Sequence, residues 1–256
     1  MIFLHAIILG IVEGVSEFLP ISSTGHLILS SEFLKIPNSD FLSSFEISIQ
    51  LGAILAVVVL YVKKIFSNKK LFGTILIGFI PSAILGLIFY KIIKSYLLNN
   101  LLVVLWSLII GGIILIIFEL LHKEKSDAVQ EAEMIKPKQA FVIGLFQSLA
   151  MIPGVSRSAA TIIGGLAIGL SRKAIVEFSF LLAIPTMCAA TGYDLLKTGT
   201  NFSGNEWGML ATGFIVSFFV AWACVKWLIK FVQKHTFISF GIYRIVLAIV
   251  FWFMIL

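Results

Sequence analysis

Six apolar runs, near 45–62, 71–90, 101–121, 175–196, 207–229 and 238–256, dictate what this chain can fold into. Each is long enough to cross a bilayer with some tilt, which takes about 20 residues. Hydrocarbon holds no water to satisfy a backbone amide, so a crossing segment must bond within itself as a helix. The fold expected is an all-α polytopic bundle, one integral membrane domain over 1–256. Composition agrees: 59% of residues are hydrophobic and 12% charged, whereas soluble domains are about a quarter charged. The opening MIFLHAIILGIVEGVSEF lacks a basic start and a small-residue cleavage site, so it is expected to belong to the fold rather than to a signal peptide.

Two more apolar stretches, 1–34 and 139–170, do not read as simple crossings. Pro20 and Pro153 break them, within the polar strings EGVSEFLPISSTGH (Glu13 to His26) and PGVSRSAAT (Pro153 to Thr161). Irregular backbone at membrane depth is tolerated only inside protein or beside a cavity, so each stretch is expected to be a re-entrant hairpin of two half-helices. Ionisable groups at that depth are costly enough to mark function.

The net charge of +6 comes from basic residues scattered through short loops, which argues against nucleic acid and for membrane orientation. Lys63, Lys64, Lys69 and Lys70 follow the first crossing. If they are cytoplasmic, alternation puts Lys123, Lys125, Lys136, Lys138, Arg172, Lys173, Lys226, Lys230 and Lys234 inside too. Only Lys35, Lys91, Lys94 and Lys197 fall opposite, which places both termini outside. Arg244 is expected to snorkel to the cytoplasmic face, Glu46 and Glu177 to sit near the interface, and His5, His122 and His235 likewise. Cys188 and Cys224 have no paired spacing and read as packing residues.

The halves, about 1–121 and 139–256, resemble each other in order. Gly10 pairs with Gly144, Pro20 with Pro153, Glu46 with Glu177 and the GFIPS of Gly78 with the GFIVS of Gly213, at separations of 131 to 135 residues. Three crossings plus a hairpin that returns to its own side make each half odd, so the halves must be inverted. Inverted repeats with broken helices put the site where the breaks meet. The loop 122–138 is the cytoplasmic connector, with no chemistry assigned to it.

Glu13 and Glu17 are four apart and share a helix face. Two close carboxylates in an apolar setting either share a proton or hold a cation. A hard divalent ion, Mg²⁺ or Ca²⁺, suits oxygen ligands and can bridge carboxylates to phosphates. Ser22, Ser23 and Thr24 can cap the second half-helix and aim its free N–H groups at an anion. Ser23 beside His26 or a carboxylate can be an activated nucleophile. Arg157 offers a planar cation for phosphate, flanked by Ser156, Ser158 and Thr161. Gln147 stands where the repeat has Glu13, so the carboxylates are not duplicated. The first string supplies acid, base and nucleophile; the second clamps the anion.

EGVSEFLPISSTGH and PGVSRSAAT closely resemble the two signature motifs of the bacterial undecaprenyl pyrophosphate phosphatases, the membrane enzymes associated with bacitracin resistance. Length, motif separation and the EFSFLLAIP after Val176 fit as well. The resemblance implies six crossings with two re-entrant hairpins in the bacterial cytoplasmic (inner) membrane. It also implies hydrolysis of a long polyprenyl pyrophosphate to the monophosphate carrier of peptidoglycan synthesis and cell-wall biogenesis. It puts the family's acidic pair on Glu13 and Glu17, its serine and histidine on Ser23 and His26, and its arginine motif on Ser156, Arg157 and Thr161. Ser16 and Val155 stand where threonine is common, which leaves the chemistry intact.

The expected catalytic set is Glu17, Ser23, His26 and Arg157. Ser22, Thr24, Ser156, Ser158 and Thr161 join Arg157 on phosphate, and Glu13 and Glu17 hold the metal. The nucleophile is Ser23, His26 or metal-activated water, Ser23 being the first choice. The partners expected are the prenyl pyrophosphate and membrane lipids, with the sequence compatible with a homodimer; the site is expected to open outward. The alternative function is a lipid flippase or an ion-coupled transporter of an anionic substrate.

Overall fold

The computed structural model describes residues 1–92, 97, 100–198 and 202–255. Among these residues the chain is all-helical, with a single isolated β-bridge between Val129 and Leu170. The helices are α1 (Phe3–Ser16), α2 (Ser23–Phe33), α3 (Asp40–Ser67), α4 (Lys69–Ile92) and α5 (Leu101–Leu121), then α6 (Pro137–Ser148), α7 (Arg157–Ala167), α8 (Arg172–Thr198), α9 (Gly204–Phe231) and α10 (Ile238–Ile255). Five of them, α3, α4, α5, α8 and α9, are long and apolar enough to cross a membrane. The run expected as a sixth crossing forms α10, whose 18 residues extend about 27 Å at 1.5 Å per residue. Lys94 and the last residue of that run, Leu256, lie outside the described residues.

Helix ends fall where local chemistry stops them. Ser39 accepts from the Leu42 N–H and starts α3, Asn100 accepts from Leu102 and Val103 and starts α5, and a Ser203–Glu206 capping box starts α9. Each such cap is worth about 1 kcal/mol. Both apolar stretches flagged as broken are broken: α1 ends before Glu17 and α2 starts at Ser23, while α6 gives way to a 3₁₀ turn at Leu149–Met151 before α7.

The bundle is assembled by close helix crossings. α9 packs on α1 and α3, α4 on α6, α5 on α10, and α3 on α8. Glycine permits the tightest of these: a Cβ on Gly10 would lie 2.8 Å from the Gly213 carbonyl, and one on Gly144 would collide with the Gly78 carbonyl. Large apolar side chains such as Leu87, Ile114, Phe219 and Phe253 point outward, as a lipid-facing surface requires. Cys188 is also exposed, not packed as expected from sequence.

The connector 122–138 is more ordered than a solvated loop. Val129 bonds across to the backbone of Gly169 and Ser171, and a 3₁₀ turn at Ala132–Met134 buries Ala132. Lys64 pairs with Glu133 and Glu177, each at 2.7 Å, Lys173 with Glu131 at 3.0 Å, and Arg172 with Glu119 at 2.7 Å and Glu124 at 3.2 Å. Burial alone would raise the Glu133 carboxyl, but the Lys64 hydrogen bond and charge hold it below its ordinary 4.5.

Candidate active site

The two breaks meet. Both half-helices that follow them start in the same unusual way: Ser22 caps α2 at φ 73° and accepts from the Gly25 N–H, and Ser156 caps α7 at φ 74° and accepts from the Ala159 N–H. A non-glycine residue at positive φ costs about 1–3 kcal/mol, and such strain concentrates at functional sites. The first residues of both helices, Ser22 to Thr24 and Ser156 with Arg157, line a common space.

That space is a cavity of about 610 Å³. At its polar end lie Glu17, Ser22, Ser23, Thr24, Ser156 and Arg157. An apolar part of the wall comes from α4 and α8, which contribute Ala83, Gly86, Leu87, Met187, Ala189 and Ala190. Between the two, Gln147 reaches from α6 to donate to Ser82 Oγ (2.7 Å) and Thr186 Oγ1 (3.0 Å). Those hydroxyls follow Pro81 and Pro185, prolines inside α4 and α8 that each remove a helical hydrogen bond.

Glu17 is the hub of the polar end. Its Oε2 accepts from Ser23 Oγ at 2.5 Å, and its Oε1 accepts from Arg157 Nη2 at 3.1 Å. Glu17 and Ser23 are largely buried, so the serine proton already points at a carboxylate. The other end of the guanidinium, Nη1, donates to the Ser179 carbonyl at 2.8 Å. The ring of Phe18 lies 5.8 Å below it. A permanent cation thus sits beside a hydroxyl already bonded to a carboxylate, with a helix N-terminus on either side that can meet an anion.

Other expected site residues take different places. Ser158 and Thr161 were expected on phosphate, but their hydroxyls face into the protein. Ser158 donates to the Phe18 carbonyl at 2.9 Å, and Thr161 Oγ1 lies 3.0 Å from the Arg157 and Ser158 carbonyls. A threonine in a helix commonly turns its hydroxyl back onto its own backbone in this way. Thr161 also lies 2.7 Å from Ser179 Oγ and so stands behind the residue that holds Arg157. His26 is brought beside the first turn, yet its Nδ1 is 2.7 Å from the Ser22 carbonyl and its Nε2 is 2.9 Å from the Tyr243 hydroxyl. In the neutral ring Nδ1–H donates and Nε2 accepts. Neither nitrogen bonds to Ser23.

Glu13 lies one turn behind Glu17, fully buried, with no hydrogen-bond partner on either carboxylate oxygen. Among the described residues no group of three His, Cys, Asp or Glu forms a metal cage. Two carboxylates, one with both oxygens free, fit the mode in which a hard divalent ion takes one or two protein oxygens and completes its shell from phosphate and water. Glu46, one of the acids expected near the interface, is half-buried and accepts from Ser31 Oγ at 3.3 Å; Gln50, a turn further on, lines the cavity.

Sequence reasoning missed Arg244. Expected to snorkel to the surface, it is wholly buried, and its guanidinium donates to the carbonyls of Pro20, Ser107, Gly154 and Val155. The signal available was its place inside the apolar run ISFGIYRIVLAIVFWF. Ser82, Ser179 and Thr186 were missed too, because a lone hydroxyl in an apolar helix has no distinguishing pattern.

The family described as "Bacitracin resistance protein BacA" matches residues 6–250. A protein of Sulfurihydrogenibium sp. named undecaprenyl-diphosphatase is 54% identical over 252 residues, covering 98% of this chain and 99% of its own. Proteins of the same name from Aquifex aeolicus, 54% identical over 247 residues, and Wolinella succinogenes, 51% over 249, cover at least 96% of both chains. With a family match and high identity running almost end to end over a chain that carries both polar turns, this protein belongs to the bacitracin resistance protein BacA family.

Proposed function

We propose that this chain is an integral membrane undecaprenyl-diphosphatase that cleaves the terminal phosphate from a polyprenyl pyrophosphate, with Ser23 as nucleophile and Glu17 as its base. One observation carries the assignment: Ser23 Oγ donates to Glu17 at 2.5 Å in the wall of a cavity that Arg157 also lines. Ser23 Oγ attacks the terminal phosphorus and gives its proton to Glu17. The bond from phosphorus to the bridging oxygen breaks, and the prenyl phosphate leaves with that electron pair. Glu17 passes that proton to the departing prenyl phosphate. Water then attacks the phosphoserine, giving one proton to Glu17. As the bond from phosphorus to Ser23 Oγ breaks and inorganic phosphate leaves, Ser23 takes the proton back from Glu17, so both residues are regenerated. Arg157 and the N–H groups of α2 and α7 stabilise the equatorial oxygens, which is where phosphoryl transfer gains most. Because both nitrogens of His26 are engaged elsewhere, it holds the Ser22 turn in place.

A divalent cation, Mg²⁺ or Ca²⁺, held by Glu13 and Glu17 would supply charge neutralisation at the phosphates. The apolar end of the cavity, between the later parts of α4 and α8, takes the start of the prenyl tail and leaves the rest in lipid. Those are the parts furthest from Lys69 and Arg172, so with the lysine-rich loops cytoplasmic the site opens to the outer face of the inner membrane. The whole is one domain of six crossings and two hairpins in inverted repeat. What supports the repeat is the exchange of contacts: α1 packs on α9 through Gly10 and Gly213, and α6 on α4 through Gly144 and Gly78.

Purified protein in detergent, given a short prenyl pyrophosphate with Mg²⁺, Ca²⁺ or Mn²⁺, should release inorganic phosphate. Glu17→Gln and Ser23→Ala should abolish it. No release with any of the three ions would favour binding or transport of the lipid instead.

A further inference from the structure

We infer that Arg244 is the positioning residue that locks the two polar turns against each other, so that both helix N-termini meet a single phosphoryl group. The inference rests on the phosphatase reading above. Arg244 comes from α10, which contributes no residue to the cavity wall, yet it reaches both turns at once. Nη1 donates to the Pro20 carbonyl at 3.4 Å and to Val155 at 3.1 Å; Nη2 donates to Gly154 and Ser107, each at 2.9 Å. Pro20 lies in the first turn, Gly154 and Val155 in the second, and Ser107 in α5. All four terminal N–H donors are thus spent on carbonyls, and among the described residues no carboxylate pairs with it. A buried charge unpaired by acid is expensive, and what it satisfies here is the irregular backbone that a re-entrant turn leaves without helical partners.

Two neighbours indicate that the place is built for it. The three atoms nearest to a Cβ on Gly111 would all belong to the Arg244 guanidinium, and one on Gly112 would lie 2.7 Å from the Gly241 carbonyl. The glycine pair in α5 therefore lets α10 approach and the guanidinium lie across the helix. The preceding residue, Tyr243, meets His26 Nε2 at 2.9 Å, and His26 Nδ1 meets the Ser22 carbonyl at 2.7 Å. Consecutive residues of α10 thus hold the carbonyls on both sides of the first turn, and Arg244 adds the second.

The test compares wild type with Arg244→Gln, Gly111→Ala and the double variant. Its readout is the inhibition constant of orthovanadate, an oxyanion that mimics the five-coordinate phosphoryl transition state. An inhibition constant does not depend on how many molecules are folded, so a loss of stability alone leaves it unchanged. Misplacing the turns should weaken vanadate by roughly tenfold or more in each single variant, since displacements of about 1 Å at a reacting centre carry penalties of that size or larger. The double variant should be no weaker than the worse single, because both changes remove one brace. If Arg244→Gln does not fold, Gly111→Ala, which keeps the charge, decides alone. An unchanged constant in the folded variants of an active enzyme would overturn the role of Arg244. A wild-type enzyme without phosphatase activity would instead overturn the reading on which it rests.

Discussion

Arg157 and Ser23 meet only through Glu17, and that shared carboxylate divides their labour. Each Glu17 oxygen takes one of them, at 2.5 Å from Ser23 and 3.1 Å from Arg157. The guanidinium is held on its far side by the Ser179 carbonyl, so its planar fork is aimed before substrate arrives. Lysine keeps the charge but cannot bond in two directions at once. Arg157→Lys should therefore lower turnover on the order of a hundredfold, the range seen on removing one oriented transition-state donor, in phosphate-release kinetics. Near-normal turnover would remove Arg157 from the phosphate site. Which residues come together at the breaks was legible in the two polar strings; which way each one faced was not. Ser158 and Thr161 sit one and four residues from Arg157; Ser158 is turned inward by the Phe18 carbonyl of the first turn, and Thr161 by its own helix backbone and Ser179 of α8. Arg244 had two physical outlets, snorkelling to water or satisfying buried carbonyls; its place inside an apolar run was the signal for the second, while the carbonyls it meets come from distant turns that no local pattern points to.

The helices carry the site by being broken. Pro20 and Pro153 lie in the turns between half-helices, with Ser22 two residues and Ser156 three residues on, and Ser22 and Ser156 take the same strained cap. The breaks were legible because turn chemistry is local. The wall formed by α4 and α8 was not, since it depends on Gln147 spanning from Ser82 to Thr186 across three helices. Its orientation can be measured. In a background lacking Cys188 and Cys224, Ala83→Cys and Ala150→Cys line the cavity. Both should react with a membrane-impermeant thiol reagent added from the outer face. Labelling solely from the cytoplasmic face would reverse the orientation.

At the scale of the whole molecule, the polar turns, the ion-pair cluster around Lys64 and the apolar exterior sort the chain into three environments. The lysine-rich end is tied by the connector 122–138, whose order the charge pattern did not announce because ion pairing with α3 and α8 creates it. The site lies where the two polar turns meet, in a cavity lined by charged, hydroxyl and apolar side chains. Such a lining suits an anionic head on a hydrophobic tail, and the hydroxyl aimed at Glu17 suits cleaving it. The account stands on attack by the protein's own oxygen. It is tested most directly by the configuration at phosphorus when a prenyl pyrophosphate whose terminal group is a phosphorothioate made chiral with one heavy oxygen isotope is hydrolysed, in water carrying another, to chiral inorganic thiophosphate. Two displacements, through phosphoserine at Ser23, predict retention; inversion, the mark of direct attack by water, would contradict it.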